Sequence, residues 1–383
     1  MERKYYRDTW AEINLDAISA NVRSLRSHLP GKTEIMAVVK ADGYGHGAYQ
    51  AAVTALNAGA TWLGVALLDE ALELREQGVQ APILVMGWVR PKDVAVAAEH
   101  HISLTVFQEE WLDQAQAYLP SYQMLFLHLK VDTGMGRIGV RTVGELDGVI
   151  EKIKSDRQFI LEGVFTHFST ADEDDPTYFN LQYRTFNHFL SQLQNHKVNP
   201  NIVHCGNSAA ALKHADKMFN AVRYGIAMYG LSPGKDMNAH LPFPLEEAFS
   251  LKSQIIHVKK MNRGEAISYG ATYYTNGEEW IGTVPIGYGD GWPRRLQDAE
   301  LLVGEHRCPV VGRICMDQLM CRLPEAVPIG TPVTLIGSSP SGSDGIAVGD
   351  IAEELETIPY EIPCMINARV PRLYFKNKGH MDE

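Results

Sequence analysis

The stretch Glu34-Ile-Met-Ala-Val-Val-Lys40-Ala-Asp-Gly-Tyr44-Gly-His-Gly47 gives the clearest indication of the fold: an apolar run that ends in a lysine and a glycine-rich turn. A continuous hydrophobic run is typical of a parallel strand buried on both faces. Because a cation does not belong inside such a strand, Lys40 marks the point where the strand reaches a pocket. Burial lowers the pKa of a lysine and makes its amine a nucleophile, as Schiff-base chemistry with an aldehyde requires. The lysine alone leaves open a plainer interpretation, a surface residue just past a strand end.

The alternation of an apolar run with an amphipathic run recurs along much of the chain. Eight apolar runs predict strands, at residues 35–39, 62–68, 83–86, 104–107, 124–131, 161–168, 202–204 and 221–228. Amphipathic stretches between them predict helices, for example at residues 109–119, 143–153, 178–193 and 208–213. This order favours parallel pairing and an α/β fold whose N-terminal part is a (β/α)8 TIM-type barrel. An open, doubly wound sheet is the alternative.

The pattern changes after Ser232, where alternating segments and tight turns predict a C-terminal, mostly β domain. Examples are residues 252–259, 281–286 and 331–337. Proline and glycine interrupt the periodicity near residues 233–244, so we predict the barrel over residues 1–240 and the second domain over residues 241–383. A first strand at residues 11–15 also alternates and precedes a helix that Asp16 is predicted to cap. Residues 1–15 are therefore expected to pair with the second domain.

Composition, net charge and cysteine count indicate the class of protein and the partners to expect. The 383 residues are 45% hydrophobic and 21% charged, which is typical of a globular chain long enough for a barrel and a smaller domain. A net charge of -11 and a pI near 5.7 argue against nucleic-acid or anionic-membrane partners. The polar start and the lack of a long apolar segment predict a cytoplasmic enzyme. Five cysteines without a CxxC pair predict neither disulfides nor a metal site, so the expected partners are small molecules and a second copy.

Polar residues gather at the predicted carboxyl ends of the barrel strands, where barrels of this kind carry their chemistry. They are Lys40, Lys130, Asp132, His167, His204, Asn207, Ser208 and Arg223. Ser208 opens a short helix, so its hydroxyl and nearby amides would face an anion, although a simple helix cap is the alternative. Gly225 would let the backbone approach a ligand closely. One such residue would be weak support, but several at equivalent positions predict an active site.

A glycine-rich string, Gly134-Met-Gly136-Arg-Ile-Gly139, matches a dinucleotide-binding motif by letter alone. It lies in the fifth barrel unit and lacks an acidic residue at the spacing that a dinucleotide fold needs. No nucleotide site is predicted there.

The string Val38-Val-Lys40-Ala-Asp-Gly-Tyr44-Gly-His-Gly47 closely resembles the pyridoxal-phosphate lysine motif of the alanine racemase family, which has fold type III. The resemblance runs in order from Trp10 to Arg372. It implies that pyridoxal 5'-phosphate binds through Lys40, with Ser208 and the amides of Gly225 and Ile226 on the phosphate. The other cofactor-binding residues that it implies are Tyr44, His167, Asn207, Arg223 and Tyr360.

The same resemblance implies a substrate site and a second subunit. Val131-Asp-Thr-Gly-Met-Gly-Arg137-Ile-Gly139 resembles the segment whose arginine contacts the substrate carboxylate, and Lys130 before it is implied to be carbamylated, as a negative partner for Arg137. Arg263-Gly-Glu-Ala-Ile-Ser-Tyr269 resembles the segment that carries a tyrosine base into the site of the other subunit, in a homodimer with shared active sites. The residues implied to line the substrate entrance are Tyr288, Cys315, Met316 and Asp317.

The predicted reaction type depends on Arg223. An arginine that faces the pyridine nitrogen can only donate, which keeps the ring a weak electron sink and favours proton exchange at Cα over transamination. The resemblance implies an isomerase that interconverts L-alanine and D-alanine by two-base proton exchange, with Lys40 and Tyr269 as bases, supplying D-alanine for peptidoglycan. Arg223 argues against a decarboxylase of related fold, and the chain length argues against a single-barrel cofactor carrier. The sequence does not separate alanine from serine, because an apolar pocket excludes one extra hydroxyl poorly.

Overall fold

The computed structural model describes residues 5–376 and, in backbone only, residues 380–381. The outer ends of the predicted domains, residues 1 and 383, lie outside this part. Contacts divide the chain into two units. The barrel unit contains Ile18–Gly43 and Ala48–Glu246, and the β unit contains the residues up to Ala17, Tyr44–Gly47 and the residues from Glu247 onward.

The barrel unit is built on parallel strands that close into a ring, each bonded to the next and the last bonded to the first. After β1 (Thr9–Asn14), which belongs to the β unit, the barrel strands are β2 (Glu34–Val38), β3 (Trp62–Val65), β4 (Ile83–Val85), β5 (Ile102–Val106), β6 (Leu125–Lys130), β7 (Phe159–Phe165), β8 (Ile202–Gly206) and β9 (Ala221–Tyr224). Every residue of β3, β4 and β5 is buried, as expected for strands covered on both faces. The predicted α/β class and closed barrel are confirmed, and the open-sheet alternative is wrong.

Helices alternate with the barrel strands. They are α1 (Leu15–His28), α2 (Ala48–Asn57), α3 (Leu68–Glu76), α4 (Val94–Glu99), α5 (Glu109–Tyr118), α6 (Val143–Ser155), α7 (Thr177–Asn195) and α8 (Ser208–Lys213). Short 3-10 turns are Pro91–Asp93, Ala215–Lys217, Ile226–Tyr229 and Lys235–His240. In α7, Phe179, Gln182, Phe186, Phe189 and Leu193 are buried at steps of three and four residues, which places them on one helical face.

Two local predictions are wrong. Asn14, rather than Asp16, caps α1, because its Oδ1 accepts from the backbone amides of Asp16 and Ala17 at 3.0 and 3.2 Å. Strand β9 ends at Tyr224 instead of residue 228, because Gly225 leaves the extended region, with φ -107° and ψ -105°, and a 3-10 turn follows.

The described part of the β unit contains three sheets. Its strands after β1 are β10 (Phe249–Gln254), β11 (His257–Met261), β12 (Ala266–Ile267), β13 (Tyr273–Tyr274), β14 (Glu279–Val284), β15 (Glu300–Val303), β16 (His306–Pro309), β17 (Leu319–Leu323), β18 (Pro332–Ser338), β19 (Gly345–Ile346), β20 (Arg372–Lys376) and β21 (His380–Met381). Its helices are α9 (Val348–Glu354) and α10 (Glu361–Met365), and its 3-10 turns are Tyr269–Ala271, Tyr288–Asp290 and Arg294–Asp298.

The largest sheet has the order β16-β15-β18-β10-β1-β20-β21, with β19 paired to β18. Strand β1 lies between antiparallel β10 and parallel β20. A second sheet has the order β11-β14-β17, and β12 pairs with β13. The alternating segment at residues 252–259 is divided between two sheets, because the Ile255 amide donates to the carbonyl of Thr331 and the Ile256 amide to that of Thr283. The predicted mostly β character of this part is confirmed.

Candidate active site

The polar residues predicted at the strand ends lie at the carboxyl edge of the barrel. Lys40 follows β2, Lys130 is the last residue of β6, His167 follows β7 and Arg223 lies in β9. Because all barrel strands are parallel, their carboxyl ends share one edge. The charges of Lys40, Lys130 and Arg223 all lower the pKa of His167, so these side chains share one site.

The chain leaves β2 through a left-handed turn directly after Lys40. Ala41, Asp42 and Gly43 have φ values of 52°, 51° and 61°. This conformation costs a non-glycine residue about 1–2 kcal/mol, so other contacts must hold the turn. The Ala41 amide donates to Glu70 Oε1 at 2.6 Å, and the Asp42 carboxylate accepts from the first amide of α2 at 2.8 Å. These bonds fix the backbone that carries Lys40.

Arg223 is buried and donates to two histidines. Its Nη1 lies 3.1 Å from His204 Nδ1, and its Nη2 lies 3.1 Å from His167 Nδ1. Nη2 also donates to the backbone carbonyls of Thr166 and Cys205 at 2.8 and 3.2 Å. Because a guanidinium only donates, both Nδ1 atoms accept, and each neutral imidazole carries its proton on Nε2. Burial and the charge of Arg223 hold the pKa of both histidines well below the usual range, so the rings are neutral at pH 7.

Lys130 is buried, and its Nζ has no hydrogen-bond partner among the residues that the structure describes. The atom lies 4.6 Å from the centroid of the Phe165 ring. Burial and the charges of Arg223 and Arg137 lower the pKa of Lys130 well below its usual range, against a smaller opposing effect of Asp132. A buried ammonium without a partner is costly, so the burial of this side chain favours its neutral amine form.

Ser208 and Gly225 come together at the ends of β8 and β9. Ser208 Oγ accepts from the backbone amides of Gly225 and Ala227 at 3.0 and 3.5 Å. The alternative in which Ser208 caps the helix is wrong, because Asn207 is the N-cap and its Oδ1 accepts from an amide of α8 at 3.0 Å. A hydroxyl beside backbone amides is a donor set that suits an anion, and Ile226 is the next residue along this backbone.

The glycine-rich string after β6 forms a loop that folds back on Asp132. Asp132 Oδ1 accepts from the amides of Gly134 and Gly136, each at 3.0 Å. Gly139 has φ 133°, a conformation that L side chains rarely adopt. Arg137 is exposed in this loop. The glycines therefore shape the loop that carries Arg137, which explains the motif without a nucleotide.

In the β unit, several of the predicted residues lie in one loop cluster. The Tyr288 amide donates to the Cys315 carbonyl at 3.1 Å, and Ser268 Oγ lies 3.5 Å from Cys315 Sγ. Tyr269 is the next residue after Ser268, so it lies beside the same loop. Tyr269 and Met316 expose 72% and 52% of their surface.

The remaining three predicted residues, Tyr44, Asp317 and Tyr360, contact other residues of the β unit. Asp317 accepts from Arg369 Nη2 at 2.7 Å. The ring of Tyr360 lies 6.3 Å from that of Tyr44, centroid to centroid. The predicted site residues therefore form two groups, one in each unit.

Three residues with contacts to the barrel group were missed by the sequence analysis. Glu70 binds the turn after Lys40, His128 Nδ1 lies 3.0 Å from His204 Nε2, and Glu162 Oε2 lies 3.2 Å from His128 Nε2. His128 and Glu162 interrupt the apolar runs predicted as strands, at residues 124–131 and 161–168. A polar residue inside a buried strand was the signal that could have identified them.

Two kinds of feature are absent from residues 5–376, the part of the chain that the structure describes. No group of three or more histidine, cysteine or acidic side chains in this part is arranged to hold a metal ion. No helix there combines the length and the apolar character needed to cross a bilayer.

Comparison with known proteins identifies the family. Residues 13–233 match the model described as alanine racemase, N-terminal domain, and residues 248–374 match alanine racemase, C-terminal domain. The alanine racemase of Geobacillus kaustophilus is 55% identical over 379 residues, which cover 99% of this chain and 97% of that protein. The crystal structure of alanine racemase from Bacillus anthracis with bound L-Ala-P superposes with a TM-score of 0.96 at 50% identity, covering 99% of this chain and 98% of that one. A histidine racemase from Leuconostoc mesenteroides superposes with a TM-score of 0.89 at 32% identity, covering 97% and 99%. With family models over both units and relatives this similar along the whole chain, the protein belongs to the alanine racemase family, whose members are isomerases.

Proposed function

We propose that this protein interconverts L-alanine and D-alanine. The observation that carries the proposal is the grouping of Lys40, Lys130, His167 and Arg223 at one edge of the barrel in a member of this family. The names of its relatives supply alanine as the substrate to test.

We propose that the barrel edge binds pyridoxal 5'-phosphate, because the donor set fits that group. Ser208 Oγ and the amides of Gly225 and Ile226 would hold the phosphate. The Lys40 amine would bind the aldehyde, and the buried guanidinium of Arg223 would donate to the ring nitrogen. When bound, the cofactor withdraws electrons from the substrate and makes its Cα proton acidic. The remaining proposed contacts are Tyr44, His167, Asn207 and Tyr360.

Racemisation needs a base on each face of Cα, and we propose Lys40 for one face and Tyr269 of the partner subunit for the other. His167 supports the second assignment. Its Nδ1 accepts from Arg223, so its Nε2–H is left to donate to the phenolic oxygen of that tyrosine. The 72% exposure of Tyr269 leaves its side chain accessible to a second copy. The proposed assembly is thus a homodimer with shared active sites.

The burial of Lys130, the downward shift of its pKa and the lack of a hydrogen-bond partner for its Nζ among the described residues support carbamylation. Its nitrogen would attack the carbon of CO2, forming an N–C bond while one C=O π pair moves onto oxygen and the nitrogen loses a proton to water. The product is an anion beside Arg223 and Arg137, whose charges act on this side chain. Carbon-13 bicarbonate should give a protein-bound carbamate signal that is missing in Lys130→Ala. No signal in the wild type would contradict the modification.

Substrate recognition is proposed to use Arg137 for the carboxylate. Four residues are proposed to line the entrance: Tyr288, Cys315, Met316 and Asp317. The fold alone does not set substrate size, because a histidine racemase shares it at 32% identity. Serine and histidine must therefore be compared with alanine.

The test is to incubate the purified protein and pyridoxal phosphate with L-alanine in D2O, then to separate enantiomers and measure deuterium. We expect D-alanine that carries deuterium at Cα, and no exchange by Lys40→Ala. Release of CO2 would favour the decarboxylase, and absence of any reaction would favour a cofactor carrier. If L-serine or L-histidine exchanges its Cα proton faster than L-alanine does, that amino acid is the preferred substrate and the proposal of alanine is wrong.

The cellular part of the proposal is a cytoplasmic supply of D-alanine for peptidoglycan, without nucleic-acid or membrane partners. The net charge of -11 supports the absence of polyanionic partners. Expression in a bacterium that requires D-alanine should restore growth, and Lys40→Ala should not. A folded, active protein that fails to restore growth would contradict this role.

A further inference from the structure

A row of buried hydrogen bonds continues from Arg223 into the barrel, away from His167. Arg223 Nη1 lies 3.1 Å from His204 Nδ1, and His204 Nε2 lies 3.0 Å from His128 Nδ1. His128 Nε2 lies 3.2 Å from Glu162 Oε2, which also accepts from Ser103 Oγ at 2.6 Å. Both histidines of this row have no exposed surface, whereas the Glu162 side chain is 21% exposed. The row therefore ends in a carboxylate that water can reach.

The chemistry of the two ends sets the direction of every hydrogen bond. Arg223 can only donate, so His204 Nδ1 accepts and His204 carries its proton on Nε2. That proton is donated to His128 Nδ1, so His128 also carries its proton on Nε2 and donates it to Glu162. An ionised carboxylate only accepts, so both ends of the row require the same direction of donation, from Arg223 toward Glu162. Because the guanidinium keeps its protons, the row is a fixed chain of donors rather than a proton path.

The ionisation states agree with this order. Burial lowers the pKa of His128 below its usual value, with the hydrogen bond that His128 donates to Glu162 opposing, and burial with the charge of Arg223 lowers the pKa of His204. Burial acts to raise the pKa of Glu162, but the hydrogen bonds from His128 and Ser103 outweigh it and the net shift is downward. Two neutral rings therefore lie between a cation and an anion.

Two strand features build the far end of the row. The pairing of β6 with β7 shifts register between Leu127 and His128, so that Glu162 is the extra residue of a bulge in β7. Bulges re-aim side chains, and this one directs the carboxylate of Glu162 to the His128 ring. The next residue is Gly163, where a Cβ atom would lie 2.5 Å from His128 Cε1. The backbone here is shaped around the ring.

We propose that Glu162 is a positioning residue of the active site: it anchors the far end of the row and thereby holds His204, through His128, against Arg223. The link to catalysis rests on the proposed function, in which Arg223 faces the cofactor ring. The anchoring itself does not depend on that function.

The first test reads the imidazole protons directly, by nitrogen-15 NMR of protein labelled on histidine, with and without cofactor. The wild type should show His128 and His204 each as one tautomer, protonated on Nε2, with slowly exchanging protons. Glu162→Gln should keep these signals, because an amide oxygen can replace Oε2 as the acceptor. Glu162→Leu should lose the His128 proton to rapid exchange and broaden the His204 signal. Unchanged signals in Glu162→Leu, or protons on Nδ1 in the wild type, would overturn the proposal.

The second test measures kcat per bound pyridoxal phosphate, which corrects for misfolded protein. Glu162→Leu should lower it about tenfold, the effect of one lost buried hydrogen bond, while KM for alanine stays unchanged. Glu162→Gln should lose less, and Glu151→Leu on the exposed face of α6 controls for the substitution itself. Equal losses in Glu162→Gln and Glu162→Leu would overturn the role of Glu162 as a hydrogen-bond acceptor.

If Glu162→Leu does not fold, Ser103→Ala replaces it. This variant should give a weaker form of the same NMR change, and an unaltered spectrum would contradict the anchoring role of Glu162. A wild type without racemase activity would refute the proposed function and leave the NMR result to decide the anchor.

Discussion

At the scale of single residues, Gly163 is a position in the barrel where an added side chain would have no room. Gly163→Ala would force a Cβ atom against the His128 ring, 2.5 Å from Cε1. Overpacking of this kind costs about 1–3 kcal/mol, so we expect a lower unfolding free energy by urea titration and reduced activity as the ring moves. Gly144→Ala is the control, because nothing lies within 4 Å of a Cβ at that helical position. Equal stability losses in the two variants would contradict the steric argument.

The same residues show what local sequence can reveal. The position of Lys40 at the end of a strand was predictable, because a cation that follows an apolar run is visible in a few letters. The order of Asn207 and Ser208 was not, because either can cap a helix and the choice depends on Gly225 from the next strand. The contact of Glu162 with His128 was not predictable for a similar reason: a polar residue in an apolar run is visible in the sequence, but its orientation depends on a register shift between β6 and β7.

At the scale of elements, the start of α3 holds the turn after Lys40. Glu70 accepts from the amides of Ala41, Ala66 and Leu67 at 2.6, 2.7 and 3.0 Å. Glu70→Ala leaves three donors without this acceptor, and we expect a loss of about 1–3 kcal/mol in unfolding free energy. Hydrogen exchange at the Ala41 amide should accelerate, and kcat should fall.

Glu73→Ala is the matched control for this prediction, because Glu73 lies one turn further along the same helix with an exposed side chain. It should leave Ala41 exchange at the wild-type rate. Equal exchange rates at Ala41 in Glu70→Ala and the wild type would show that other contacts hold the turn.

The elements also differ in how far sequence predicts them. Apolar runs located all the barrel strands, because burial on both faces leaves a plain pattern. The left-handed turn could not be predicted, since alanine and aspartate rarely adopt positive φ and the contacts of Ala41 and Asp42 with α3 and α2 come from later parts of the chain. The end of β9 was misjudged because residues 226–228 stay apolar after the strand has stopped.

At the scale of the whole molecule, buried histidines make stability depend on pH. Folding lowers the pKa of His128, His167 and His204, and burial with the charges of Lys217 and Lys213 lowers the pKa of His214 to about 4. Below about pH 6.5, the ordinary histidine pKa, the unfolded chain takes up protons that the folded chain does not. In that range, each such histidine should reduce the unfolding free energy by about 1.4 kcal/mol for every pH unit by which the pH falls.

Urea titrations between about pH 8 and pH 5 should therefore show a fall in stability that becomes steeper below the ordinary histidine pKa of about 6.5. His214→Gln removes one of these groups and should make the fall shallower. A profile that stays level across this range, or one equally steep in His214→Gln, would contradict the buried neutral state.

The proposed sharing of active sites between two copies can be tested with two inactive variants, Lys40→Ala and Tyr269→Ala. If each site takes Lys40 from one subunit and Tyr269 from the other, a heterodimer has one intact site and one site that lacks both residues. Because random reassembly of equal amounts makes about half the dimers mixed, activity should return to about a quarter of the wild-type value. Heterodimers isolated through two different affinity tags should reach about half. If both residues act from the same chain, every site in the mixture lacks one base and no activity returns. Reassembly of wild type with Lys40→Ala, which retains activity under either arrangement, verifies that the exchange procedure preserves the enzyme.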